Sequence, residues 1–440
     1  MMAQHAGESI PQACASWAQA MGAYRLLSNQ AVDPHAMQAP HRERTRKACA
    51  TLPVVLAVSD ISDLDFTGRT GIKGLGRLGD GGGRGLQQHT TLAVVPDGGV
   101  MGVLRQHWYT RPEAPEGESR RKRQARWCES DVWADAAKEI GTLGPACRII
   151  HVADRGADIF GFLNTCVQLG VGFLVRAAHD RRVQDTQIRM WEHAAAQPAL
   201  DTMEVKVSAQ RGGAKRDRRI ARTAQVTLRV ARITIPPARN DPRVADASPR
   251  EIHVVYALEE KPPSGEGIAP VEWMLLTSET ARTGADARRL VGWYAQRWIV
   301  EEFHRAEKEG CRLEASQLDD AQDIKRLAAI TAVVAVRLLQ LRDAADPASA
   351  ASRDAASLRT LADDPCIRIV AALAKTDPAT LTPELFFRTI AKRGGWLARK
   401  SDPRPGWKCL WRGWRDIALM AQGAVLALAG SSLLCIRVRA

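Results

Sequence analysis

The sequence predicts an α/β protein: a mixed sheet with helices, interrupted by a β-rich insertion and flanked by helical segments at both ends. Three observations carry that expectation. Val54-Val55-Leu56-Ala57-Val58 and Arg148-Ile149-Ile150-His151-Val152-Ala153 are short, nearly continuous apolar runs, the pattern of buried strands, and each leads into an aspartate, Asp60 and Asp154. The stretch from Tyr294 to Lys308 contains neither Gly nor Pro and reads as helix. Between about 180 and 285, apolar and polar residues alternate, as in Val226-Thr227-Leu228-Arg229-Val230, with further apolar runs at Ile252–Ala257 and Trp273–Thr277.

At 440 residues the chain is long enough for two or three domains and a substantial core. Lys and Arg number 62 against 49 Asp and Glu, a formal charge of +13, which favours a polyanionic partner and most simply DNA. A basic enzyme without such a partner would show the same balance. The nine cysteines are odd in number and form no Cys-x-x-Cys pair or Cys/His cluster, so they read as reduced packing residues of a cytoplasmic protein. The N-terminal region lacks the continuous apolar core of a signal peptide.

Residues 1–50 read as helix and loop, with Trp17, Tyr24-Arg25-Leu26-Leu27 and a basic run from Arg42 to Lys47. Residues 51–180 supply the first part of a core. There, Pro96-Asp97-Gly98-Gly99 is a hairpin signal between strands expected at Thr90–Val95 and Val100–Leu104. The glycine-rich stretch from Gly71 to Gly85 lacks the Gly-Lys-Ser/Thr ending of a phosphate-binding loop and reads as a flexible loop beside the site. Arg120-Arg121-Lys122-Arg123, with Arg126-Trp127 beyond, forms a basic patch beside an aromatic, and a solvated loop would look alike. Residues 181–285 are the β-rich insertion, which carries Arg211, Lys215, Arg216, Arg218, Arg219 and Arg222. Residues 286–342 return to the core with the charged helix and an apolar helix at Leu327–Leu341; residues 343–440 read as helical after an Ala/Asp/Ser-rich stretch near 343–364. Ile417 to Ile436 is about long enough to span a bilayer, but Gln422, Gly423, Gly430, Ser431 and Ser432 interrupt it. A helix used for packing or self-association is the expectation there, and no membrane partner.

The charged helix carries the chemistry. At roughly 100° per residue, Tyr294, Arg297, Glu301, Arg305 and Lys308 share one arc, with Ile299, Phe303, Ala306 and Gly310 on the opposite, core-facing side. A carboxylate flanked by two guanidinium groups, an ammonium and a phenol suits a site that holds a metal ion and a phosphodiester together. A solvated face laced with i,i+4 pairs has the same spacing. An aspartate at a strand end is by itself commonly a cap or turn residue. Two such strands, in order and ahead of the glutamate helix, argue instead that Asp60, Asp154 and Glu301 converge. Without a cation, three converging carboxylates would repel one another and raise at least one pKa.

The spacing Tyr-x2-Arg-x3-Glu-x6-Lys at Tyr294, Arg297, Glu301 and Lys308, set in Arg297-Trp298 and Glu301-Glu302-Phe303-His304, resembles the signature of the bacterial cut-and-paste DDE transposases of insertion-sequence family four, transposon-five type. Asp154-Arg155-Gly156-Ala157-Asp158-Ile159 is similar to that family's second-aspartate motif. Val336–Arg342, Ile390–Trp396 and the tryptophans from Trp407 to Trp414 resemble its later segments, so the resemblance covers essentially residues 10 to 420. It implies a ribonuclease-H-like fold interrupted by a β-subdomain. It also implies a catalytic triad of Asp60, Asp154 and Glu301 holding two Mg²⁺ or Mn²⁺ ions, with Asp60 and Glu301 on one and Asp60 and Asp154 on the other. Tyr294, Arg297 and Lys308 would grip phosphates beside the scissile bond, and Arg305 stands where a basic residue is also expected. Arg176 and Arg25 would contact DNA, an extruded base would stack on Trp273, and Trp298 would help hold the distorted end. Where the family has Lys in a Glu-Ser-x-Lys-Trp element, this chain has Val132 in Glu129-Ser130-Asp131-Val132-Trp133, so no contact carries over.

The activity so implied is that of a metal-dependent DNA transposase of an insertion sequence. It nicks each transposon end, forms and reopens a hairpin, and transfers the excised strands to target. Its partners would be transposon-end and target double-stranded DNA and a second copy in a homodimer assembled on DNA, in the cytoplasm at the nucleoid. Gly22-Ala23-Tyr24-Arg25 resembles the junction between the family's N-terminal DNA-binding domain and its core, so a shortened N-terminal recognition segment is expected. A non-catalytic inhibitor acting through mixed oligomers, or a nuclease without transfer activity, are the alternatives.

Overall fold

The computed structural model describes residues 7–429, apart from 15, 80–81, 112–114, 120–121, 123–125, 184–187, 208–219, 238–240, 242, 264–268, 345–357, 359–361, 400–401 and 403–404. The chain opens with helices α1 (Ile10–Ala13), α2 (Trp17–Ser28) and α3 (Pro34–Cys49). Asp33 caps α3, its carboxylate accepting from the Ala36 amide at 3.0 Å ahead of Pro34 at the first turn.

The strands follow as β1 (Val54–Asp65), β2 (Gly76–Leu78), β3 (Gly83–Val94), β4 (Val100–Tyr109), β5 (Arg148–Ala153), β6 (Gly172–Arg176), β7 (Asp201–Val207), β8 (Arg222–Ile235), β9 (Arg250–Leu258) and β10 (Glu272–Thr277). Among the described residues they form one sheet in the order β2–β3–β1–β5–β6–β10–β9–β8–β7, with β4 paired to β3. Within it, β4, β3 and β1 run antiparallel, and β5 and β6 lie parallel to β1. This is the ribonuclease-H-like arrangement. Parallel neighbours need a crossover, and helices α4 (Val132–Ile140) and α5 (Phe160–Gln168) supply it before β5 and β6.

Both faces of the central strands are covered. Val55, Ala57, Ile149 and Val175 pack with α4 and α5 on one side. Leu56, Val58, Ile150 and Leu174 pack on the other with helices that come late in the chain. Burial on both faces explains why these strands read as continuous apolar runs.

Residues 181–285, expected as an inserted β-rich subdomain, hold a short helix α6 (Met190–Ala195) and strands that extend this same sheet: β10 pairs antiparallel with β6, Leu275 opposite Arg176. Strand β7 adds an edge that the sequence reading passed over, although Met203, Val205 and Val207 alternate with Thr202, Glu204 and Lys206 and face the covered side. The glycine-rich stretch contributes β2, and at Gly85 an added Cβ would lie 1.9 Å from the Leu64 carbonyl oxygen, so only glycine lets β1 and β3 approach there. Of the basic clusters, Arg211, Lys215, Arg216, Arg218 and Arg219, and likewise Arg120, Arg121 and Arg123, lie outside the described residues. Arg222 is engaged internally with Glu259 at 2.6 Å.

The later helices are α7 (Gly284–Ala295), α8 (Trp298–Arg305), α9 (Ala321–Ala344), α10 (Asp364–Ala374), α11 (Pro383–Arg393) and α12 (Trp407–Ala429). The last three pack around Phe386, Phe387, Ile390, Leu410 and Ile417. Leu419, Val425 and Leu426 of α12 are exposed. No helix among the described residues is long and apolar enough to cross a membrane; residues 430–436 of the apolar C-terminal segment, and most of the Ala/Asp/Ser-rich stretch, fall outside them. The described cysteines are all free.

Candidate active site

Strand pairing brings the two aspartates together. β1 and β5 run parallel with Val58 opposite Val152, so Asp60 and Asp154, each two residues further on, emerge at the same end of adjacent strands. Strand β1 does not stop at Asp60 as its apolar run suggested. It continues to Asp65 because β3 still pairs with it, Asp60 opposite Thr90, after β5 has ended. The Asp60 carboxylate accepts from the Ile61 amide at 2.8 Å. Asp154 caps a 3₁₀ turn, Arg155–Ala157, accepting from the Gly156 amide at 2.8 Å.

The glutamate arrives from the other covering layer. Thr283 and Asp286 form a reciprocal cap at the start of α7, each side chain accepting from the other's backbone amide at 3.1 Å. The single helix expected from Tyr294 to Lys308 is instead three segments. At Gln296 and Arg297 the amides bond three residues back, to Trp293 and Tyr294, which tightens the chain between α7 and α8. After α8 a π turn spans Ala306–Gly310, with the Cys311 amide bonded five residues back to Ala306. Ile299, Phe303, Ala306 and Gly310 are buried as expected. The expected shared arc is broken, however. Tyr294 is 5% exposed in the core, its ring edge-on to Trp273 at 5.5 Å, whereas Glu301 and Arg305 are exposed.

Arg297 joins the elements. One guanidinium nitrogen donates to Asp60 at 3.3 Å and another to Glu301. Burial pushes the Asp60 carboxyl up to about 6; Arg297 pulls it down, and the charges of Asp154 and Glu301 push it up again. Both other acids therefore act electrostatically on Asp60. Further cations converge on the same place. Burial holds the Arg176 guanidinium below its ordinary range, with Arg155 and Arg297 adding to the effect, and Arg176 donates to the Glu272 carbonyl at 2.9 Å. The buried Tyr294 phenol feels Arg297, Arg176, Asp154 and Arg155.

The remaining expected residues divide. Lys308 reaches β1, donating to the Asp63 carbonyl, with Glu314 at 3.6 Å. Arg305 is bonded to Glu302 at 2.6 Å. Trp298 is 48% exposed, with the Arg342 guanidinium over its ring at 5.5 Å. Arg25 is exposed on α2, among the N-terminal helices that pack on α9.

The donors have the chemistry of a hard-cation site, since all three are carboxylates and the Asp60 pKa is raised by burial first and by its acidic neighbours after it. As the side chains lie, no group of three candidate ligands among the described residues is close enough together to hold an ion. A guanidinium stands between Asp60 and Glu301 instead, which marks that space as one a positive charge fits.

Two features escaped the sequence reading. Asp158, in the same motif as Asp154, is not part of the site: it is fully buried, paired with Arg181 at 2.6 Å and accepting from the Ala178 amide at 2.7 Å, so it ties down the chain after β6. Glu307 is fully buried and bonded to Gln88 and Gln106. The signal was available in Gln87-Gln88-His89-Thr90-Thr91, five consecutive polar residues that β3 buries completely.

Three family models match the chain. A family model described as the transposase DDE domain matches residues 129–337. One for transposase DNA-binding matches residues 1–32, and one for the transposase Tn5 dimerisation domain matches 370–433. Among solved structures, a synaptic complex of piggyBac transposase with hairpin DNA is similar at a TM-score of 0.34 and 10% identity, over 88% of this chain and 65% of that one. The chain thus spans less than two thirds of that transposase, a likeness too distant to carry any residue's role across.

Proposed function

The chain belongs to the bacterial DDE transposases of the Tn5 type, and from that premise we propose that it cuts DNA at transposon ends and joins the freed ends to target DNA. The observation that carries this reading is the Arg297 bridge between Asp60 and Glu301, with Asp154 beside Asp60 at the end of the adjacent strand. Asp60, Asp154 and Glu301 would hold two divalent ions, Mg²⁺ or Mn²⁺. When bound, such ions activate the attacking oxygen and neutralise the leaving one in an in-line displacement.

The chain's own residues do the rest. Arg297, Arg176 and Arg155 give the acidic centre a cationic rim suited to a phosphodiester backbone. Lys308, beside Asp63 on the strand that carries Asp60, adds a fourth cation. Trp298, exposed at the start of α8, offers a face for a base or sugar of a distorted end. Trp273 is half-buried against Tyr294 and could receive an extruded base only at the margin of the core. Nicking followed by hairpin formation and strand transfer is the reaction order this reading carries. A homodimer on DNA would use the exposed apolar face of α12, inside the segment matched by the dimerisation family.

The test is Mg²⁺-dependent nicking of a duplex bearing the element's own terminal repeat. Asp154→Ala or Glu301→Ala should abolish nicking while DNA binding stays measurable. Cleavage persisting in either variant would overturn the triad.

A further inference from the structure

We infer that Glu307 is a positioning residue for Lys308: its carboxyl, clamped by two glutamines of the sheet, holds the π turn that carries the lysine to strand β1. This rests on the function proposed above and deepens it.

Glu307 sits inside the π turn that directly follows α8, with none of its surface exposed. Its Oε2 accepts from Gln88 Nε2 at 2.5 Å and its Oε1 from Gln106 Nε2 at 3.3 Å. Chemistry sets the direction of both amides. The Trp108 indole can only donate, and it donates to Gln88 Oε1 at 2.7 Å, so the Gln88 amine faces Glu307. Gln38 Nε2 donates to Gln106 Oε1 at 2.6 Å and to the Ala329 carbonyl at 3.3 Å, which turns the Gln106 amine the same way. Two chains of donors, from α3 and from β4, therefore end on one carboxyl.

That carboxyl is an expensive group to bury, and an aliphatic side chain would fill the space without an unmet charge. Burial pushes it up to about 7, against the lowering effect of Gln88, Gln106, Lys308 and the Thr331 hydroxyl; burial, and after it the Glu307 charge, push the Cys311 thiol up as well. The arrangement makes sense as an anchor. Gln88 lies opposite Ser62 in the β1–β3 ladder, so the clamp fixes the turn to the neighbourhood of Asp60. The next residue, Lys308, then delivers its ammonium to the Asp63 carbonyl. From the other side the turn is closed by Trp407, 2.9 Å from where a Cβ on Gly310 would stand.

A double-mutant cycle in the same nicking assay tests this, with DNA affinity and thermal unfolding measured alongside. Glu307→Leu and Lys308→Ala should each lower kcat/KM by about tenfold, and the double variant should fall no further than Lys308→Ala alone. Glu307→Gln, which keeps one of the two acceptors, should lie between Glu307→Leu and the wild type and lose any inflection near pH 7; it also carries the cycle if the leucine variant does not fold. Losses that multiply, or a Glu307→Leu protein that nicks like the wild type, would overturn the inference. A wild-type chain that binds its ends without nicking them would overturn the functional reading, and this one with it.

Discussion

Arg297 donates to Asp60 at 3.3 Å across 237 positions of sequence, and its other arm holds Glu301 four residues away. The guanidinium is therefore the link between the strand that carries the first acid and the helix that carries the last. A bidentate, always-charged side chain suits that task better than an ammonium would.

Removing this link should expose the acids to each other. Arg297 is the largest influence lowering the Asp60 carboxyl, which already stands at about 6. In Arg297→Gln its pKa rises further, so the acid limb of the nicking rate against pH should move to higher pH. The rate at pH 7 should fall by about a hundredfold, the scale of losing one preorganised charge at a reacting centre. Rate profiles from pH 6 to 9 would show both effects, and an unmoved acid limb would contradict the assignment.

The two aspartates of one motif should behave oppositely. Asp158 is buried and holds Arg181 and the Ala178 and His179 amides. Asp158→Ala leaves the half-buried Arg181 guanidinium and two backbone amides without their acceptor and should cost about 3 kcal/mol of stability. Asp154→Ala loses a single turn contact and should cost about 1 kcal/mol, while abolishing nicking. Denaturant unfolding of both variants decides the matter.

Glu307 makes stability depend on pH in a defined direction. Its folded-state pKa, about 7, lies above the ordinary 4.5, so its contribution is fully present below about 4.5 and is lost as pH rises through 7. The shift corresponds to about 3 kcal/mol at most. Glu307→Gln removes this dependence, so the variant's Tm relative to wild type should rise between pH 5 and pH 8. A constant difference across that range would mean the carboxyl does not titrate there.

The apolar face of α12 should govern assembly. Leu419 and Leu426 are exposed and two turns apart, hence on one side of the helix. Leu426→Glu should leave the far-ultraviolet spectrum unchanged and weaken dimerisation on transposon-end DNA by at least about tenfold. Light scattering of the DNA complex would measure it, and an unaltered dimer would place the interface elsewhere.

Much of the candidate site was legible because its signals are local. The runs into Asp60 and Asp154 are continuous apolar strands, and the spacing from Tyr294 to Lys308 survives any small error in element bounds. What misled was periodicity carried too far. Equal steps of 100° put Tyr294 on one exposed face with Glu301, but the chain tightens at Gln296–Arg297 and Tyr294 is buried, its phenol still within reach of Arg297 and Asp154, and a π turn follows α8. The turn at Gln296–Arg297 has no Gly or Pro to announce it, and the π turn has only Gly310 at its end.

The sequence by itself determined which side chains are candidates for the chemistry, because residue type and order along the chain decide what each can donate, accept or hold. Only the tertiary structure decided which of them meet. The parallel pairing of β1 with β5 sets Asp60 beside Asp154, and Arg297 ties Glu301 to Asp60. It also decided that Asp158 and Glu307 would be buried and bonded rather than exposed. Burial and partnership are properties of packing between distant segments, and no window of sequence contains both sides of such a contact.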